Sequence, residues 1–142
     1  MADLPPFITL HIRRQDFKST YHLTALQQYK EGIERVRNRI QHRIDNPDSF
    51  RGPGLGKKPF PLGVSAKDYA VVFTSDEKAG TPFMREVLML GWKHIDHDRM
   101  RTREVLGPWY PTALDQAILA RGRGFLGTHS STYSHISGMR VR

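Results

Sequence analysis

Two short segments hold the side chains best suited to chemistry. The first is His11-Ile12-Arg13-Arg14-Gln15-Asp16-Phe17, which closes the β-branched and aromatic run that begins at Phe7. A guanidinium at the carboxyl end of a strand suits a pyrophosphate, because its planar fork makes two charge-assisted hydrogen bonds. The second is Gly127-Thr128-His129-Ser130-Ser131-Thr132-Tyr133-Ser134. A strand, a glycine turn and a hydroxyl-rich helix start together offer an anion backbone N–H groups, hydroxyl donors and a positive dipole end. Each segment also has a plainer reading. Arg13 or Arg14 could pair with Asp16 at the surface, and Ser or Thr at a helix start is ordinary capping.

Other suggestive patterns fail on their context. Gly122-x-Gly124-x-x-Gly127 has the letters of a dinucleotide fingerprint. That motif must follow a strand and open a helix, whereas here it follows a helix and contains a strand. Its glycines read instead as a helix stop and a close-packed strand. Gly52–Lys58 lacks the spacing and the Ser or Thr of a phosphate loop, and Gly127–Ser131 lacks the glycine that a strained nucleophile elbow needs after its serine. His94, Asp96 and Asp98 would share one face of a strand, so a manganese-binding Asp pair is geometrically possible there. A solvated strand end with mixed charges is the plainer account, and no metal is assigned.

The elements that must position these residues follow from periodicity. Phe7–Ile12 and Tyr69–Thr74 read as buried strands, with Asp76 just after the second. Leu23, Leu26, Ile33, Val36, Ile40 and Ile44 form one apolar helical stripe, with Ser19 or Thr20 as cap and Asn46-Pro47 as terminator. Lys30, Arg35, Arg37, Arg39 and Arg43 lie opposite that stripe. Residues 47–66 form a Pro/Gly-rich loop. A helix over 82–90, a short strand over 92–95, a helix from Thr112 to Ala120, a minimal strand over 124–127 and a helix from Ser130 follow in turn. The segment 98–111 reads as charged and turn-rich. Alternating strands and helices predict an α/β layered domain with a mostly parallel sheet, and such sheets bind ligands beyond the carboxyl ends of their strands.

Composition narrows the classes. The chain has 142 residues and no cysteine, which excludes a disulfide scaffold, a thiolate zinc site and a cysteine nucleophile. Its net charge of +8 favours anionic partners without choosing among them. No apolar run is long enough to span a bilayer, and the N-terminus lacks a signal-peptide h-region, so no membrane partner is expected of this chain.

Three stretches, in this order, carry a family resemblance: FITLHIRRQDF over 7–17, VVFTSD over 71–76, and LDQAILARGRGFLGTHSSTYS over 114–134. Together they resemble the C-terminal, donor-binding half of the GDP-fucose protein O-fucosyltransferases, most closely the type acting on thrombospondin repeats. The resemblance implies a Rossmann-like half of a two-half GT-B glycosyltransferase. It implies inverting, metal-independent transfer of fucose from GDP-fucose to a Ser or Thr hydroxyl of a glycoprotein acceptor, with no cofactor. Carried over by position, Arg13 would bind the pyrophosphate and stabilise the departing GDP, and His11 would line the nucleotide pocket. Asp76 would bond the nucleoside, Asp115 the guanine edge, and Ser131 and Thr132 the β-phosphate, with Tyr133 at an aromatic position. The family's N-terminal half and its general base have no counterpart, so residues 1–142 are expected to be one domain truncated at both ends and inactive alone. The resemblance implies the ER or Golgi lumen. The alternative function is a small basic nucleic-acid-binding module using the Arg-rich helix 30–43.

Overall fold

The computed structural model describes residues 4–15, 23–49, 60–61 and 63–140. Strand β1 (Phe7–Ile12) lies at the centre of a three-stranded, all-parallel sheet, flanked by β2 (Ala70–Ser75) and β3 (Gly124–Leu126) in the order β2-β1-β3. The register sets His11 beside Thr74 and Ile12 beside Ser75. Both faces of β1 are buried, with Ile8, Leu10 and Ile12 on one side and Thr9 and His11 on the other. Beyond β2 the expected strand over 92–95 contracts to one residue. Lys93 bridges Val72, with Phe73 N donating to Lys93 O (2.8 Å) and Lys93 N donating to Val71 O (2.9 Å).

Alternation along β1 divides the molecule. Ile8, Leu10 and Ile12 join Ile33 and Ile40 of helix α1 (Leu26–Asp45) in the core, and Leu126 packs there too. Thr9 faces the other way. Its hydroxyl reaches Leu119 O (3.0 Å) at the end of helix α4 (Tyr110–Leu119) and Gly124 O (3.2 Å) on β3. His11, two residues on, shares the Thr9 side.

Several sequence expectations are corrected. Ser19 and Thr20 lie outside the described residues. Helix α1 starts at Leu26, where Gln28 Oε1 accepts from Ala25 N (2.9 Å), so Leu23 precedes the helix rather than joining its stripe. In the loop over 47–66, Pro47–Ser49 and Ala66–Asp68 (extending to 68) are short 3₁₀ turns, and residues 50–59 and 62 lie outside the described set. Helix α2 (Pro82–Met89) is capped by Thr81, whose Oγ1 accepts from Met84 N (3.3 Å). The segment read as turn-rich contains a short helix, α3 (Thr102–Leu106). Helix α4 begins at Tyr110 and not at a Thr112 cap, because Pro111 fits the first turn of a helix; Ala113 and Ala117 are exposed, and Leu119 is its buried anchor. Helix α5 (Thr132–Arg140) follows β3. Among the described residues no helix is long and apolar enough to cross a membrane.

Candidate functional site

The carboxyl ends of β1 and β2 open into a cavity of about 450 Å³, walled on the far side by the 94–98 segment, Arg103 and the start of α4. Elementary geometry brings Asp115 to it. Leu119 meets Thr9, and α4 runs back along the sheet, so one helical turn earlier along α4 corresponds to about two residues further along β1. Asp115 and His11 are therefore both at the cavity, together with Arg13, Asp76 and Tyr133. Four of the six residues predicted as a site converge there: His11, Arg13, Asp76 and Asp115.

The other two do not. Ser131 and Thr132 line a separate, more open hollow with Gly127, Thr128 and His135. Tyr133 faces the cavity while its neighbours face the hollow. Ser131 is buried, and its Oγ accepts from Ser134 N (3.3 Å), which makes it the capping residue of α5. Thr132 is exposed.

His11 is held by a short chain of bonds that fixes its proton. Ser134 Oγ accepts from Thr128 N (3.0 Å) and lies 2.6 Å from His11 Nδ1. The Ser134 hydroxyl hydrogen has no other acceptor among the described residues, so it is donated to Nδ1. The network therefore assigns the proton of a neutral His11 to Nε2, the nitrogen left for the cavity. Burial, reinforced by the nearby Arg13 charge, lowers the His11 pKa to about 4, so the ring is neutral at pH 7. Tyr133 packs against it with ring centroids 4.5 Å apart.

Thr128 clamps the end of β1. Its hydroxyl donates to His11 O (2.9 Å) and accepts from Arg13 N (2.9 Å), which leaves Tyr29 as the donor across 2.7 Å. Asp76 secures the following turn. Its two oxygens accept from Arg14 N (2.8 Å) and Gln15 N (3.1 Å), and Oδ2 lies 3.3 Å from Arg13 Nε. Among the described residues Arg13 pairs with Asp76, and Asp16 lies outside them. Arg14 turns away, bonding Glu77 (3.0 Å) and covering the Phe83 ring at 3.7 Å. Thr74, beside His11, buries its Oγ1 at the cavity without a hydrogen-bond partner among the described residues.

Asp115 has a partner that sequence reasoning missed. His97 Nε2 lies 2.8 Å from Asp115 Oδ1, and His97 Nδ1 lies 3.1 Å from the hydroxyl of buried Thr102. Burial raises the Asp115 pKa, opposed by the His97 hydrogen bond and by the His97 and His94 charges. The acidic and imidazole cluster at 94–98 was the available signal, since it marked those residues as polar groups without a core role. Asp96 itself caps a turn by accepting from Arg99 N (3.0 Å). Among the described residues no group of three or more His, Asp or Glu is placed to hold a metal ion.

The Arg-rich face of α1 is less uniform than its sequence. Lys30, Arg35 and Arg39 are exposed among Glu31 and Glu34, while Arg37 is half-buried, pairing with Glu34 (2.6 Å) and donating to Tyr69 O (3.3 Å). The three glycines of the apparent dinucleotide fingerprint are packing devices. A Cβ would lie 2.5 Å from Thr9 Oγ1 at Gly122, 2.5 Å from Val36 Cγ1 at Gly124 and 2.6 Å from Ser134 Cβ at Gly127. Comparison with protein-family models, with curated proteins and with solved structures returns no match to this chain.

Proposed function

We propose that this domain binds the nucleotide-sugar donor GDP-fucose in the cavity beyond its sheet, as the donor-side layer of a GT-B-type fucosyltransferase. The observation that carries the reading is the convergence of His11, Arg13, Asp76 and Asp115, from three different parts of the chain, on one cavity. Ligand binding at strand carboxyl ends is the general behaviour of open parallel sheets. The cavity carries charges of both signs, Arg13, Lys78 and Arg103 beside Asp76, Glu77, Asp96, Asp98 and Asp115. Cationic groups suit a diphosphate, and carboxylates accept from the O–H groups of a sugar.

In the inverting, metal-independent transfer proposed for it, the barrier lies in charge developing on the departing phosphate. Arg13 offers a fixed positive charge there, and neutral His11 offers Nε2–H without a second competing charge. Asp76 holds the turn that presents Arg13. The acceptor in this reading is a protein Ser or Thr hydroxyl.

Calorimetric titration with GDP tests the donor site. Binding is expected at or below millimolar ligand, weakened by about 10- to 100-fold in Arg13→Ala, the range for losing a hydrogen bond to a charged group. Absence of heat, or an unchanged affinity in the variant, removes the assignment.

A further inference from the structure

Resting on the donor-site reading above and deepening it, we propose that Asp115 is the proton acceptor of the cavity, positioned by His97. We further propose that the chain uses it to activate water against a bound nucleotide sugar. The geometry is that of a held carboxylate with one oxygen at liberty. Oδ1 is fixed by His97, while Oδ2 makes no hydrogen bond to the described residues and the side chain borders the cavity. An ionised Asp115 only accepts, so His97 Nε2 carries the hydrogen between them, and Nδ1 lies 3.1 Å from the Thr102 hydroxyl. Both ring nitrogens are then engaged. His97 is a positioning residue, and the carboxylate is the group left to take a proton.

The surroundings suit that role. Burial makes the Asp115 carboxylate more basic than one in water, which brings it nearer the range where a general base works at neutral pH. The titratable groups acting on it are His97, His94 and Tyr133, and the Tyr133 hydroxyl is held in its neutral form by burial and by the Asp115 charge. In the proposed step, a water O–H transfers its proton to Asp115 Oδ2 as the water oxygen bonds to the anomeric carbon. The bond from that carbon to the β-phosphate oxygen breaks, and its electron pair leaves with the nucleoside diphosphate facing Arg13. The products are free sugar and nucleoside diphosphate, and no further reactant is required.

The full chain incubated with GDP-fucose, with released GDP followed by chromatography, tests this. Release above the protein-free rate is expected, and Asp115→Asn should lower it by about 100-fold or more at saturating GDP-fucose. His97→Ala should slow release and move the acid limb of the pH profile to higher pH, because a bond that lowers the Asp115 pKa is lost. His97→Gln keeps a donor and should restore part of the rate. Three results would overturn the inference: a wild-type chain that binds GDP and releases none, an Asp115→Asn variant as fast as wild type, or a variant whose loss lies in KM alone and vanishes at saturating GDP-fucose. The last would return Asp115 to the guanine edge. Failure of the donor-site reading is distinct, since the wild-type chain would then not bind GDP at all.

Discussion

His11 shows how one buried residue ties the site to the stability of the fold. Its folded-state pKa is about 4 against an ordinary 6.5. Between those values the unfolded chain takes up a proton that the folded chain refuses. Stability is therefore retained above about pH 6.5 and lost as pH falls through that window, by about 3 kcal/mol at its acid end. Thermal melts of the wild type from pH 7 to pH 4 should show this fall, and His11→Asn should flatten it even though its stability at pH 7 is lower. Ser134 acts from behind the ring. Ser134→Ala strands the amide of Thr128 and removes the donor to Nδ1, and should cost about 1–3 kcal/mol in chemical denaturation. The chemical types at His11, Arg13 and Asp76 were readable in the sequence because they sit where strands end. Ser134 was not, since its partner is 123 residues away.

At the scale of elements, β3 is only three residues long and depends on close approach. Gly124 lets α1 settle on the strand, and a Cβ there would lie 2.5 Å from Val36 and 2.9 Å from Ile40. Gly124→Ala should therefore destabilise the fold by about 1–3 kcal/mol, read as a lower denaturation midpoint with an unchanged slope. Periodicity located β1, β2, α1 and α2 well because each has a continuous apolar stripe or run. It failed over 92–111. There a strand is maintained by one bridging residue, and α3 offers five residues in which only Thr102 is buried. A short helix with so little burial leaves no periodic signal to read.

For the whole molecule, a net charge of +8 invites a polyanion, yet the exposed Arg35 and Arg39 of α1 share its solvent side with the exposed Glu31 and Glu34. Arg35→Glu with Arg39→Glu would lower the charge by four while leaving the cavity lining untouched. GDP affinity at 0.15 M salt should be unchanged within about twofold, because charges beyond about 8 Å are screened there. A large loss would show that the helix face takes part in binding. The sheet order β2-β1-β3 puts β1 at the centre and so gathers the ends of both flanking strands around the residues that follow it.

What the sequence determined by itself was local. Apolar patterning specified the parallel layer, and the residue types at the strand ends put polar and charged side chains beyond it. The tertiary structure decided which of those residues meet. It brought Asp115 to the cavity with His97, directed Arg14 away, and assigned Ser131 to capping. The physical reason is that hydrophobic periodicity reports which face of an element is buried, whereas the meeting of polar side chains depends on how helices are placed over the sheet. That placement is set by contacts such as Thr9 with Leu119, between residues 110 positions apart.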